Sequence, residues 1–198
     1  MKKVTLLSFA LVVFNFIVAQ NFDKDMATAK SSFAGNKLED AHFALQQALS
    51  EVDLATGKKI LRLLPGSLGN LTANSKDDQV FSNVGFVGAT VHRTWGQNQA
   101  ASLDIISNSP LVSTLNSFLS VPLIGGMMNS DKSKTIKVQG YKGRLDNNGA
   151  GTGGGSNYTL QIPVGTSLVT FTMKNAAEGD VLNDANGLPL AEIAKLVQ

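Results

Sequence analysis

Ser167-Leu168-Val169-Thr170-Phe171-Thr172-Met173 sets Val169, Phe171 and Met173 in alternation with Leu168, Thr170 and Thr172. A period of two puts successive side chains on opposite faces of an extended chain, so this stretch predicts a β-strand with one face in a core. Working backwards, Tyr158 to Val164, Tyr141 to Leu145 and Thr135 to Val138 read as further strands, separated by turn-forming residues. Further upstream, Phe86 to Trp95 alternates Val87, Ala89, Val91 and Trp95 with Thr90, His92 and Thr94. A partner strand follows at Ser102 to Ser107 with Leu103 and Ile105 on one face, and Gly96 to Gln99 fits the hairpin turn between the two.

Helical periods flank these strands. Ser109-Pro110 opens a helix whose Leu111, Val112, Leu115, Phe118 and Leu119 form an apolar stripe, with Ser109 as cap and Pro110 at the first position. Val121 to Met128 continues apolar, but Pro122, Gly125 and Gly126 prevent a continuous spanning helix. The last helix begins at Pro189, with Leu190, Ile193, Ala194 and Val197 facing inward. Phe22 to Leu64 predicts two helices: Gly35 ends the first, and Asn36 with Glu39 three residues on opens the second in a capping-box arrangement. Leu38, Ala41, Leu45, Ala48, Val52 and Ala55 are expected to form its one buried face. The fold class is therefore α+β: an antiparallel sheet flanked by helices, preceded by an N-terminal helical hairpin.

Met1-Lys2-Lys3 followed by the apolar run Val4 to Val18 and the small Ala19 has the layout of a cleavable signal peptide. At 15 residues the run is shorter than the roughly 20 that span a bilayer. The expected organisation is a signal peptide at 1–19, a helical hairpin at 20–64, a linker at 65–79 rich in Gly, Ser, Asn and Asp, and a sandwich domain at 80–198. Export to the periplasm or medium follows, with no transmembrane segment once the signal is removed. The chain carries 17 Lys and Arg against 15 Asp and Glu. Losing Lys2 and Lys3 brings the balance to zero, so the precursor pI of 8.8 gives no reason to expect nucleic acid as a partner. With no Cys, stability rests on a packed core and no thiol is available to take a lipid.

Two resemblances are carried by particular residues. Ala29, Phe33, Gly35, Leu38, Ala41, Ala48 and Leu49 resemble the packing positions of a single tetratricopeptide unit, although Gly35 and Leu38 are displaced and no second copy follows. From about Val80 to Gln198, the order of elements and the segment Ile136-Lys137-Val138-Gln139-Gly140-Tyr141 are similar to the PsbP-like α/β/α sandwich of small exported bacterial proteins. That resemblance implies a scaffold and assigns no residue a role.

Chemistry-bearing residues are sparse. His42 and His92 are the only imidazoles, so a transition-metal site lacks ligands and no cofactor is expected. Gly149-Ala150-Gly151-Thr152-Gly153-Gly154 fits a phosphate-binding glycine pattern, but a strand follows it where that chemistry needs a helix, and a mobile hairpin loop over Asp146 to Asn157 is the better account. Asp184-Ala185-Asn186-Gly187 has the look of part of a calcium loop, yet the first and twelfth positions fall on Leu182 and Ile193, and a turn before the last helix fits better. Lys132, Lys134, Lys137, Lys142 and Arg144 place five cations within 13 residues without an acid. If they share a face, they form a candidate site for an anionic ligand or partner; otherwise they are a solvated strand face that blunts aggregation. The expectation is a non-enzymatic exported binding protein whose partner, an unknown protein or small anionic ligand, meets the sheet face or the hairpin. The alternatives are a hydrolase using His92 as base with Asp104 nearby, and a structural component of the envelope.

Overall fold

The computed structural model describes residues 21–85, 88–120 and 132–197. They form two compact units: residues up to Ala55 together with 82–85, and Thr56 to Phe81 together with everything from Gly88 onward. The division falls inside a helix and not in the 65–79 stretch expected as a linker.

In the first unit, helix α1 covers 21–34 and α2 runs from Leu38 to Leu63, its residues beyond Ala55 belonging to the second unit. The turn between them differs from the expected capping box. Asn36 takes a left-handed conformation at φ 58°, Lys37 N–H donates to Ser32 O at 2.8 Å, and Asn36 N–H donates to Phe33 O at 3.1 Å. This is a Schellman closure of α1, and Asn serves there because it tolerates the left-handed region better than other non-glycine residues. The expected buried face of α2 is also corrected. Ala41 and Ala48 are buried as anticipated, but Leu38, Leu45 and Val52 are 58%, 49% and 46% exposed. Two helices bury only a narrow stripe between them; alanines fill it, and the longer side chains one step round the helix stand outside.

The second unit is built on a seven-stranded antiparallel sheet. Its strands are β3 (Gln79–Phe81), β4 (Thr90–Trp95), β5 (Ala101–Ile106), β6 (Ser133–Val138), β7 (Tyr141–Ala150), β8 (Ser156–Val164) and β9 (Ser167–Ala176), in spatial order β3-β4-β5-β9-β8-β7-β6. Register across neighbouring strands aligns Gln79, His92, Asp104, Thr170, Gln161, Arg144 and Thr135 in one row spanning all seven. One residue along, Val80, Val91, Ile105, Val169 and Ile162 align on the opposite face. The sheet thus has one polar and one apolar face, the outcome of the period of two.

Helices cover both faces. Ile60 of α2 and Leu64 just beyond its end, Val181 and Ala185 from α4 (Glu178–Asn186), and Leu190 and Ile193 from α5 (Leu190–Leu196) pack with Trp95, Leu103, Leu160 and Phe171 in the main core. On the polar side, Val112, Leu115 and Leu119 of α3 (Leu111–Ser120) close over Leu168. Helix α4 was not foreseen, since its residues read as a turn. The Val121 to Met128 stretch lies outside the described residues.

The 65–79 segment is part of this unit. Strands β1 (Ser67–Leu68) and β2 (Leu71–Thr72) pair with each other, Leu68 enters the core, and Ala73 bridges to Trp95. Asn74 reaches into the fold, its Nδ2 donating to Thr94 Oγ1 at 3.0 Å and to Gly96 O at 2.9 Å.

Candidate functional site

Among the described residues no group of three His, Asp or Glu is placed to hold a metal ion, and no helix is long and apolar enough to cross a membrane. Four places were candidates for function on sequence or are so on geometry.

On the polar sheet face, His92 of β4 and Asp104 of β5 are directly opposed. His92 Nδ1 lies 2.7 Å from Asp104 Oδ1, so the ring donates to the carboxylate and Nε2 is left with the lone pair in the neutral form. His42 is exposed on α2.

The five cations divide. Register places Lys137 opposite Lys142 and Thr135 opposite Arg144 on the polar face, whereas Lys134 lies opposite Leu145 on the other. Lys134 Nζ pairs with Glu178 of α4 at 2.5 Å. Arg144 donates to Asp146 at 2.9 Å and stacks over Phe118 of α3 with 5.0 Å to the ring centroid. Lys142 Nζ reaches the Leu119 carbonyl at 3.4 Å. Lys132 precedes β6 and has a partner of its own. Three of the five therefore share a face, and one of those three is already committed to a carboxylate and a ring.

The third place includes Asp184, which the sequence offered only as part of a calcium-loop-like stretch better read as a turn; the cleft around it was missed. Gly69, in the β1–β2 turn, packs against the side chain of Asp184 on α4; a Cβ at Gly69 would stand 3.0 Å from Asp184 Oδ1. Two adjoining clefts of about 400 and 470 Å³ share Gly69, Asn183 and Asp184 on their walls. The larger is also lined by Asn70, Lys174, Asn175 and Asp180, with Leu71 and Met173 as apolar surface. Asp184 is only 7% exposed. Burial, reinforced by the neighbouring Asp180 carboxylate, raises its pKa above the ordinary 3.8, against an opposing hydrogen bond from Asn183. Its visible signal was the i, i+4 pair Asp180 and Asp184 beside the apolar pair Val181 and Ala185, a helical spacing hidden by Gly179 and Gly187.

The glycine-rich loop supports this cleft. Strand β7 runs five residues further than expected, and only 151–155 turn. Gly151 N–H donates to Gly155 O at 2.8 Å, and Gly153 N–H donates to Asn175 Oδ1 at 2.9 Å. A Cβ on Gly151 would overlap Asn175 Oδ1, and one on Gly155 would stand 2.5 Å from the Asn175 carbonyl oxygen. Glycine is required here for close approach to Asn175, one wall of the cleft, and not for a phosphate.

The fourth place belongs to the first unit. A groove of about 520 Å³ runs between α1 and α2, with Ala29 and Ala41 buried at its floor and Met26, Phe33 and Leu45 on its walls.

Compared with known proteins, this chain matches no family model, no curated protein and no solved structure.

Proposed function

We propose that the chain is a non-enzymatic exported binding protein, and that it takes a small neutral ligand rich in hydroxyl or amide groups in the cleft beside Asp184. The observation that carries this reading is the buried Asp184 carboxyl on the wall of an open cleft. The Asp184 carboxyl offers acceptor oxygens, and the amides of Asn70, Asn175 and Asn183 both donate and accept. Such a wall complements hydroxyl and amide groups, and Leu71 and Met173 suit the C–H faces between them. Export rests on the signal-like residues 1–19. The split of the cation cluster favours this cleft over an anion site on the β6–β7 hairpin.

Calorimetric or NMR titration with neutral oligosaccharides, dipeptide amides and inorganic phosphate tests the proposal. Saturable binding of a neutral ligand that is lost in Asp184→Leu and kept in Lys137→Ala is expected. Binding of phosphate alone, or neutral binding indifferent to Asp184, would sink it.

The contact between His92 and Asp104 favours a second reading, a hydrolase, because it supplies a base and the carboxylate that orients it. Such an enzyme needs a nucleophile within reach of Nε2. Turnover in a broad hydrolase screen that disappears in His92→Ala would establish this reading over the first.

A further inference from the structure

We infer that the N-terminal hairpin pairs with the hairpin of a second copy, the two grooves facing each other about a twofold axis with their turn ends opposed. The inference is independent of the Asp184 cleft.

The groove has the form of half an interface. Its floor is alanine, and its walls carry Met26 and Phe33 on α1, seven residues apart, and Leu45 on α2; exposed Leu38 and Val52 lie seven residues before and after Leu45 on α2, with Leu49 beside them. Seven-residue spacing of exposed apolar residues on both helices is the repeat that receives another helix at a shallow crossing angle. A pair of helices cannot cover such a face by itself.

A second copy is the occupant that fits. Large walls around a small floor are self-complementary: under a twofold operation the wall residues of each copy enter over the alanines of the other. The six large side chains are 41% to 70% exposed. Half of side chains of roughly 150–200 Å² each leaves on the order of 500 Å² of apolar surface. That is about 60% of the roughly 800 Å² that one partner gives to a standard interface, the usual apolar share.

Charge sets the direction. Near the turn, Lys30 and Lys37 offset Glu39 and Asp40, whereas the far end carries Asp23, Asp25 and Glu51 against Lys24. A parallel arrangement would bring the two acidic ends together. The antiparallel one sets each against the neutral turn end of the other copy and so avoids that repulsion.

Sedimentation equilibrium on the purified protein is expected to give a dimer at micromolar concentration, weakened at least tenfold by Phe33→Glu or Leu45→Glu. Both positions are exposed, and an unchanged circular dichroism spectrum verifies that the fold is kept. Because the chain has no cysteine, single substitutions report the geometry. Leu45→Cys, near the middle of the groove, is expected to form a disulfide-linked dimer on mild oxidation, whereas Leu38→Cys, at the turn end, should not. A protein that stays monomeric at roughly 100 μM, whether or not it captures something else, overturns the inference. Equal cross-linking from both cysteine variants does so as well, since it requires a parallel pair.

Discussion

Arg93 grips Asp78 through both carboxylate oxygens, Nε to Oδ1 at 2.8 Å and Nη2 to Oδ2 at 2.6 Å, and gives Nη1 to the carbonyl of Leu64 at 2.8 Å. One side chain thereby closes the end of α2 and anchors the segment leading into β3. Trp95, two residues on, does the same for the next carbonyl, its Nε1 donating to Pro65 O at 3.0 Å.

The two side chains of that pair are only 11% and 13% exposed. Removing one partner leaves a buried charge unmatched, so Asp78→Ala is expected to destabilise the second unit by about 3 kcal/mol. Lys134 and Glu178 are joined at a shorter distance but are 37% and 36% exposed, and Lys134→Ala is expected to cost under about 1 kcal/mol. Trp95 is the one tryptophan and is fully buried, so urea unfolding followed by its fluorescence measures both. Equal losses would contradict the burial argument.

Two glycines are expected to respond with opposite signs. Gly155→Ala forces a methyl group against the Asn175 backbone, which cannot yield without opening the 151–155 turn, and a loss of about 1–3 kcal/mol follows. Gly179 lies in α4 with nothing within 4 Å of a Cβ. Gly179→Ala should stabilise by about 0.5–1 kcal/mol, since alanine loses less backbone freedom on entering a helix. Thermal melts of both variants decide the matter.

The contrast between what the sequence disclosed and what it did not is physical. The strands from β4 to β9 were legible because a half-buried strand repeats every two residues, and α3 and α5 because each is marked by proline at its start. Leu38, Leu45 and Val52 were misplaced because periodicity reports which residues share a face, not whether anything covers it. The Asp184 cleft was hidden for a different reason. Its walls come from the β1–β2 turn, the end of β9 and α4, segments more than 100 residues apart in part, and no local spacing encodes that meeting. The cation cluster stood out only because charge is easy to see; its division between two faces follows from strand register, which composition does not contain.

Asp184 gives stability a pH dependence of definite sign. Its pKa is raised on folding, so between the unfolded value and the folded one the native chain holds a proton that the unfolded chain has released. This contribution is fully present below the unfolded pKa and is lost as pH rises through the folded pKa. Asp184→Asn keeps the shape without the titration. The melting temperature of the variant relative to the parent should therefore increase as pH is raised from 3.5 through the carboxylate range, then level off. A difference that stays flat, or that falls, would mean that burial does not govern this carboxyl.

His92 and Asp104 allow a prediction that bears directly on the hydrolase reading. The carboxylate can only accept, so the proton of a neutral His92 must sit on Nδ1 and the lone pair on Nε2. Long-range nitrogen–proton NMR correlations are expected to report that tautomer in the parent and to lose the bias in Asp104→Ala. Both side chains are partly exposed, at 24% and 41%, so this substitution should cost no more than the ~0.2–1 kcal/mol typical of a cross-strand pair. The tautomer is the sharper test because a general base needs its free lone pair directed away from the residue that orients it. A proton on Nε2 in the parent would remove the base and leave His92 as one member of the polar row that runs from Gln79 to Thr135.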